Sequence, residues 1–290
     1  MPKFSRVASL MIYGKGRSVI VVEGLRINFK VVKTKDEALN TAKIEVYNLS
    51  KETRESFSAL NSKVLLKVGY NNEDVSDVFR GDIVRVYTIK KPPEVITVID
   101  ALDGRKETVT KISVGYPPGT TSKSILQDLS ELVGFEGSDI SSENKTYKNG
   151  FSFSGLTKDI LTKVAKFMGA DWSVQNGHLK CVSQGQSDKK RINILSADTG
   201  LLDSPVKIGS IDPTKNSKSV DGWKIRCLLL PSLEPGNRVV IKSEMLSSEI
   251  FSVATIEHLG DNFGDNWETV LEVEEMKGKA VQSPVEAKFK

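Results

Sequence analysis

Three segments decide the fold: Leu25-Arg26-Ile27-Asn28-Phe29-Lys30-Val31, Ala42-Lys43-Ile44-Glu45-Val46-Tyr47-Asn48-Leu49-Ser50, and Val64-Leu65-Leu66-Lys67-Val68-Gly69-Tyr70. In the first, Leu25, Ile27, Phe29 and Val31 alternate with Arg26, Asn28 and Lys30, the period of a strand with one buried face and one wet face. A polar connection, Lys33-Thr34-Lys35-Asp36-Glu37, leads to the second strand, which runs into Asn48-Leu49-Ser50. Ser50 is placed to cap a short helix from Lys51 to Phe57, because its hydroxyl can accept from the free amides of the first turn. The third strand follows. Strand, strand, capped helix, strand predicts a small barrel or sandwich with the helix mounted at its rim.

Working outward, Val7 to Tyr13 and Val19 to Val22 read as a hairpin across Gly14-Lys15-Gly16-Arg17-Ser18. Gly14-Lys15 does not make a phosphate loop, which needs Ser or Thr after the lysine and a helix beyond. Downstream, Val78 to Ile89 is broken by Lys91-Pro92-Pro93, since proline gives no amide to a ladder, and Glu94 to Ala101 returns as a strand. The first module closes near Asp103-Gly104. The period then changes. Ile125, Leu126, Leu129, Leu132 and Val133 follow Thr120-Thr121 at helical spacing and stop at Gly134. Leu156, Ile160, Leu161, Val164, Phe167 and Met168 follow Ser154 and stop at Gly169. Asn176-Gly177 is a two-residue hairpin signal that sets Val174 against Leu179 and Trp172 against Cys181. A polar stretch, Ser183 to Arg191, precedes a second β-rich module with alternation at Trp223, Ile225, Cys227 and Leu229 and a turn at Glu234-Pro235-Gly236-Asn237. The segments Leu65 to Val68, Val78-Phe79 and Val95 to Val98 run parallel to Val240 to Lys242, Ile250-Phe251 and Thr269 to Glu272, an order compatible with duplication.

The expected fold is mainly β with an α+β insert, two barrel or sandwich domains flanking a small two-helix plus hairpin domain. The expected limits are 1–103, 104–190, 191–276, and a flexible tail over 277–290 that a partner orders.

Composition excludes several classes. Lys and Arg total 41 against 37 Asp and Glu, a net charge of +4 that is too slight for a nucleic-acid ligand. Cys181 and Cys227 fall in different modules, so no disulfide framework is expected and a reduced compartment is. No apolar run reaches the roughly 18 residues of a membrane span, and no secretory signal follows Met1. His178 and His258 are the two histidines, and neither they nor the cysteines have metal-site spacing. Asp261-Asn262-Phe263-Gly264-Asp265-Asn266 is rich in oxygen ligands but lacks the spacing of a calcium loop and reads as a hairpin connection. Trp172, Trp223 and Trp267 lie in phase with apolar neighbours and read as core. No catalytic residues, cofactor or metal are expected.

The ordered set Ala42 to Ser50, Gly69-Tyr70, Val78-Phe79-Arg80-Gly81-Asp82-Ile83, Asp103-Gly104, Gly119-Thr120-Thr121, Thr199-Gly200-Leu201 with Pro205, Pro235-Gly236, and His258-Leu259-Gly260-Asp261 with Trp267 resembles the baseplate hub proteins of contractile-tailed (myovirus) phages, the late-control protein D or tail hub family. The resemblance covers nearly the whole chain, although Gly264-Asp265-Asn266 before Trp267 is a looser match. It implies two tail-tube-like β domains per chain and a homotrimeric ring in the virion baseplate, assembled in the host cytoplasm. Such a ring joins a sixfold tail tube to a threefold central spike, contacts other baseplate proteins, and passes DNA through its lumen without specific binding and without membrane insertion. Near-neutral charge suits such a conduit, because each phosphate contact adds affinity. Asn48, Leu49, Ser50 and Phe57, at a barrel rim, are the expected assembly interface. A carbohydrate-binding module and a cell-wall-degrading tail enzyme are the alternatives, the former fitting the tryptophans and the latter lacking a recognisable catalytic pair.

Overall fold

A computed structural model describes residues 5–14, 19–56, 62–70, 75–183, 192–209 and 222–275. The chain is mainly β. Strands β1 (Arg6–Tyr13), β2 (Val19–Val22), β3 (Ile27–Thr34) and β4 (Thr41–Tyr47) precede helix α1 (Lys51–Ser56) and strands β5 (Lys63–Tyr70), β6 (Ser76–Lys91) and β7 (Glu94–Leu102). The middle of the chain holds α2 (Arg105–Thr108), β8 (Lys111–Tyr116), α3 (Ser122–Val133), β9 (Gly137–Ser141), β10 (Phe151–Leu156), α4 (Thr157–Met168), β11 (Ala170–Gln175) and β12 (His178–Ser183). The last part contributes β13 (Ile192–Leu195), β14 (Val206–Ile208), β15 (Gly222–Leu228), β16 (Arg238–Lys242), β17 (Ser247–Asp261) and β18 (Trp267–Glu275).

Thirteen of these strands form one sheet, in the order β14-β15-β18-β17-β3-β4-β7-β6-β5-β1-β2, with β16 also on β17 and β13 on β16. The first and last parts of the chain are therefore joined edge to edge by β17 and β3, with Leu259 opposite Lys30 and Glu257 opposite Val32. Along β3 the inward row is Ile27, Phe29, Val31 and Lys33. Sequence alone places Lys33 and Thr34 in a connection. Pairing with Ile256 and Thr255 of β17 instead extends the strand through both and turns Lys33 inward.

Duplication is visible at the level of single residue pairs. The order β5-β6-β7-β4-β3 repeats as β16-β17-β18-β15-β14. On β6 and β7, Ile83 lies opposite Ala101, Val84 is skipped, and Arg85 lies opposite Asp100. On β17 and β18, Val253 lies opposite Val273, Ala254 is skipped, and Thr255 lies opposite Glu272. A second register shift, between Leu66 and Lys67 in the β5–β6 ladder, recurs between Ile241 and Lys242 in the β16–β17 ladder. Bulges bend a strand and raise its twist, so both halves curl in the same way at the same place.

Buried side chains form three clusters. The first, around Ile27, Phe29, Ile44, Leu66 and Phe79, also takes Leu229 and Trp267 from the last part of the chain. Trp267 packs edge-on against Phe29 and Tyr70 at centroid distances of 5.6 and 6.4 Å. Gly260 allows that approach: a Cβ there would lie 2.3 Å from Phe29 Cζ and 2.9 Å from Trp267 Cε3.

The second cluster is the insert, where α3 and α4 cover β11 and β12. Thr121 caps α3 by accepting from Ser124 N at 3.3 Å, and Gly134 ends it at φ 86°. Trp172 opposite Cys181 and Val174 opposite Leu179 are the pairs that the Asn-Gly turn predicts. Helix α4 begins at Thr157 rather than just after Ser154, because Phe151 to Leu156 first pairs with β8 as a strand. The turn at 15–18, Phe57, the polar stretch over 184–191 and the tail over 277–290 lie outside the described residues.

Candidate assembly surface

The sheet's outer face is charged, and its charges pair both across strands and along one strand. From β15 to β6 the ion pairs are Arg226 with Glu268 (2.7 Å), Lys30 with Glu257, Lys43 with Glu45 (2.7 Å) and Arg85 with Asp100 (2.6 Å). This follows from alternation: once Ile27, Phe29 and Val31 face in, Asn28 and Lys30 must face out; the register sets Lys30 opposite Lys43, and each lysine finds a carboxylate to one side, Glu257 on β17 for Lys30 and Glu45 on β4 for Lys43. Such a face is polar yet locally neutral.

At one end of the central strands lies the rim. Asn48 adopts a left-handed φ of 57° and its amide and side chain exchange hydrogen bonds with Val95 at 2.7 and 3.0 Å. Ser50 Oγ accepts from Thr53 N at 3.1 Å and caps α1 as its sequence predicts. Asn48 and Ser50 are exposed. Leu49 is not: it is 5% exposed and belongs to the first buried cluster, so it cannot offer its side chain to a neighbour. Alternation from Ile44 and Val46 would turn Asn48 inward; the left-handed Asn48 breaks that alternation and turns Leu49 to the same core instead. Beside this rim, Arg26 bonds both carboxylate oxygens of Asp261, the shortest contact being 2.8 Å, and stacks over the Tyr47 ring at 4.5 Å. Burial would raise the Asp261 carboxyl, but the Arg26 guanidinium and the Phe263 amide hold it below its usual range. The oxygen-rich loop spends its ligands internally.

The insert docks at the opposite end of the same strands. Asp103, at the end of β7, accepts from Asn176 N (2.6 Å) and Gly177 N (2.9 Å) of the insert hairpin. Asn40 donates to Val174 O (2.7 Å) and Gln175 Oε1 (2.9 Å), and Gln175 donates to Thr34 O (2.8 Å). Lys180 of the insert pairs with Glu234 of the last module. Burial pushes Asp103 up to about 6, against the amides that favour its charged form. Burial likewise lowers the Lys33 ammonium, whose charge faces Glu234 and Asp103. Burial alone would raise Glu234, but Lys180 and Lys33 hold it down. Sequence reading marks Asp103-Gly104 and the Asn176-Gly177 turn separately but misses that they meet, because Asn40 and Gln175 carry no local pattern.

Most of the histidine, cysteine and tryptophan side chains are buried. His258 is fully buried with Nδ1 2.9 Å from Thr269 Oγ1, and burial lowers it to about 3, so it is neutral. His178 is exposed beside the hairpin turn. Cys181 and Cys227 are buried thiols. Trp172 and Trp267 are core, and Trp223 packs partly buried against the third cluster. Among the described residues no group of three His, Cys, Asp or Glu side chains could hold a metal ion, and no helix is long and apolar enough to cross a membrane.

Comparison with known families gives a match to the family described as Baseplate hub gp41 over residues 6–248. No curated protein matches the chain in sequence. Among solved structures, a tail protein from Neisseria meningitidis MC58 is similar with a TM-score of 0.67 at 11% identity, over 94% of this chain and 97% of that one. The 43 kDa tail protein of prophage MuSo2 from Shewanella oneidensis gives 0.65 at 12% identity, over 93% and 98%. The Escherichia coli c3393 protein, a component of the type VI secretion system, gives 0.60 at 11% identity, over 92% and 77%. At these identities the likeness is one of fold.

Proposed function

We propose that this chain, which belongs to the Baseplate hub gp41 family and has a structural role in a tail baseplate, forms a homotrimeric ring between the tail tube and the central spike. Its two β parts, 1–103 and 191–276, act as tube-like units, and the insert over 104–190 braces them from one end. The observation that carries this reading is the register-level repeat: two equivalent units already stand edge to edge in one sheet, so three chains supply six quasi-equivalent positions. Heterologous contacts make rings when their rotation closes.

In this ring the outer face of the sheet favours passage of DNA over binding, because its cations Lys30, Lys43, Arg85 and Arg226 are held by carboxylates and are less free to contact phosphate. Asn48 and Ser50 belong to the contact at the rim, with Phe57 its remaining candidate. The chain acts by assembly in the virion tail, put together in the host cytoplasm, and not by turnover.

Negative-stain electron microscopy of the purified protein, alone and with a candidate spike protein, tests the reading. Threefold particles with an open centre are expected in at least one sample. Particles without threefold symmetry in both would overturn it.

A further inference from the structure

We infer that this chain pairs with a second copy of itself through β6 and β14, in the antiparallel register that β17 and β3 already use within one chain. The argument rests on the ring reading above and adds the strands and the residues that close it.

The internal repeat supplies the template. Strand β17, 15 residues long, shares one edge between two partners: β16 takes its first half and β3 its second. Strand β6, 16 residues long, is its counterpart. Its first half holds β5 as β17 holds β16, with Asp77 opposite Lys67 where Ser247 lies opposite Lys242. Along the second half, from Arg85 to Lys91, the edge that would correspond to the β3 position has no partner among the described residues. Strand β14 is the counterpart of β3, since Ile208 lies opposite Gly222 of β15 as Val32 lies opposite Thr41 of β4. It ends the sheet. Six strands separate β14 from β6, so one chain does not bring its own two edges together.

Carrying the β17–β3 ladder onto these edges sets Tyr87 opposite Ile208 of the second copy, Thr88 opposite Lys207, and Ile89 opposite Val206. The side chains agree with that register. Val206 is 63% exposed, Tyr87, Ile89 and Ile208 are partly so, and the pairing turns them into two apolar cross-strand pairs of the aromatic and β-branched kind. An unprotected edge with apolar side chains is a template for another strand.

Opposed Cα atoms in an antiparallel pair lie about 4.5–5.5 Å apart, within disulfide reach. The test is mild oxidation of the full chain carrying Ile89→Cys and Val206→Cys, read on a non-reducing gel beside the wild type, whose buried thiols give the background, and beside an Ile89→Cys, Lys207→Cys chain shifted to the opposite face. Melting curves check that each variant folds. Covalent dimer and trimer from the in-register pair, at least tenfold above both controls, is the expected result. Equal or no cross-linking in a protein that is still trimeric by light scattering overturns the strand pairing and leaves the ring. A protein that is monomeric throughout, with its spike present, overturns both.

Discussion

Two joints hold the chain together, and they differ in chemistry. Between β3 and β17 the β parts meet through a continuous backbone ladder over an apolar core, with Gly260, Phe29 and Trp267 in close contact. Between the β parts and the insert, the contact is a buried polar knot of Asp103, Asn40, Gln175 and the Asn176-Gly177 turn. The first joint uses burial, which is strong and tolerant of direction. The second uses hydrogen bonds, each modest in net worth but costly to leave half made. A seam of the first kind is suited to continuing a sheet; a knot of the second kind fixes one orientation of a separate body.

The largest expected effect breaks the seam. Trp267→Ala empties the contact with Phe29 and Tyr70 and is expected to cost about 3–5 kcal/mol, read as a lower urea midpoint in which both β parts lose structure together. Loss confined to the last part of the chain would show that the seam is not shared.

Acid should act on the two joints with opposite signs. His258, on the seam, has its folded value lowered to about 3, so its contribution is complete above about 6.5 and is lost as pH falls through that value toward 3. Asp103, in the knot, has its folded value raised to about 6, so its contribution is complete below about 4 and is lost as pH rises through 6. Each change between pH 7 and 4 is on the order of 3 kcal/mol. Relative to wild type, His258→Asn should therefore gain stability on going from pH 7 to pH 4, and Asp103→Asn should lose it. Chemical denaturation at the two pH values measures both; shifts of the same sign would contradict the assignment.

A smaller effect sharpens the contrast. Asn40→Ala leaves Gln175 Oε1, Val174 O and Thr34 N without their partner and is expected to cost about 1–3 kcal/mol. Hydrogen exchange should rise in residues 174–177 while the β3–β17 amides stay protected. Uniform loss of protection would mean that insert and sheet open as one unit.

The seam and the knot also differ in how far sequence discloses them. Alternation at Ile27, Phe29, Val31, Ile44 and Val46 marks the β3–β4 core because burial repeats with the period of the strand. Gly134 and Gly169 mark helix ends for an equally local reason. The rim helix and its Ser50 cap are legible too. Leu49 is not, since it stands between two exposed residues and out of phase with Ile44 and Val46, and only the left-handed turn at Asn48 sends it inward. Lys33 is misread for a similar reason: a lysine ending an apolar row looks solvated until Glu234 and Asp103, far away in sequence, are brought toward it. Strands β8 and β10 do alternate, with Ile112, Val114 and Tyr116 on one and Phe151 and Phe153 on the other, but each is only six residues long and β10 runs directly into the α4 stripe. The repeat is faint in residue identity but clear in register, because bulges and pair offsets belong to backbone geometry.

All of this leads to one quantity, the mass of the assembled particle. Light scattering behind size-exclusion, with and without the spike protein, measures it directly. Three times the 31.9 kDa chain mass is the predicted result, and a particle that stays at 31.9 kDa in both samples would contradict the account.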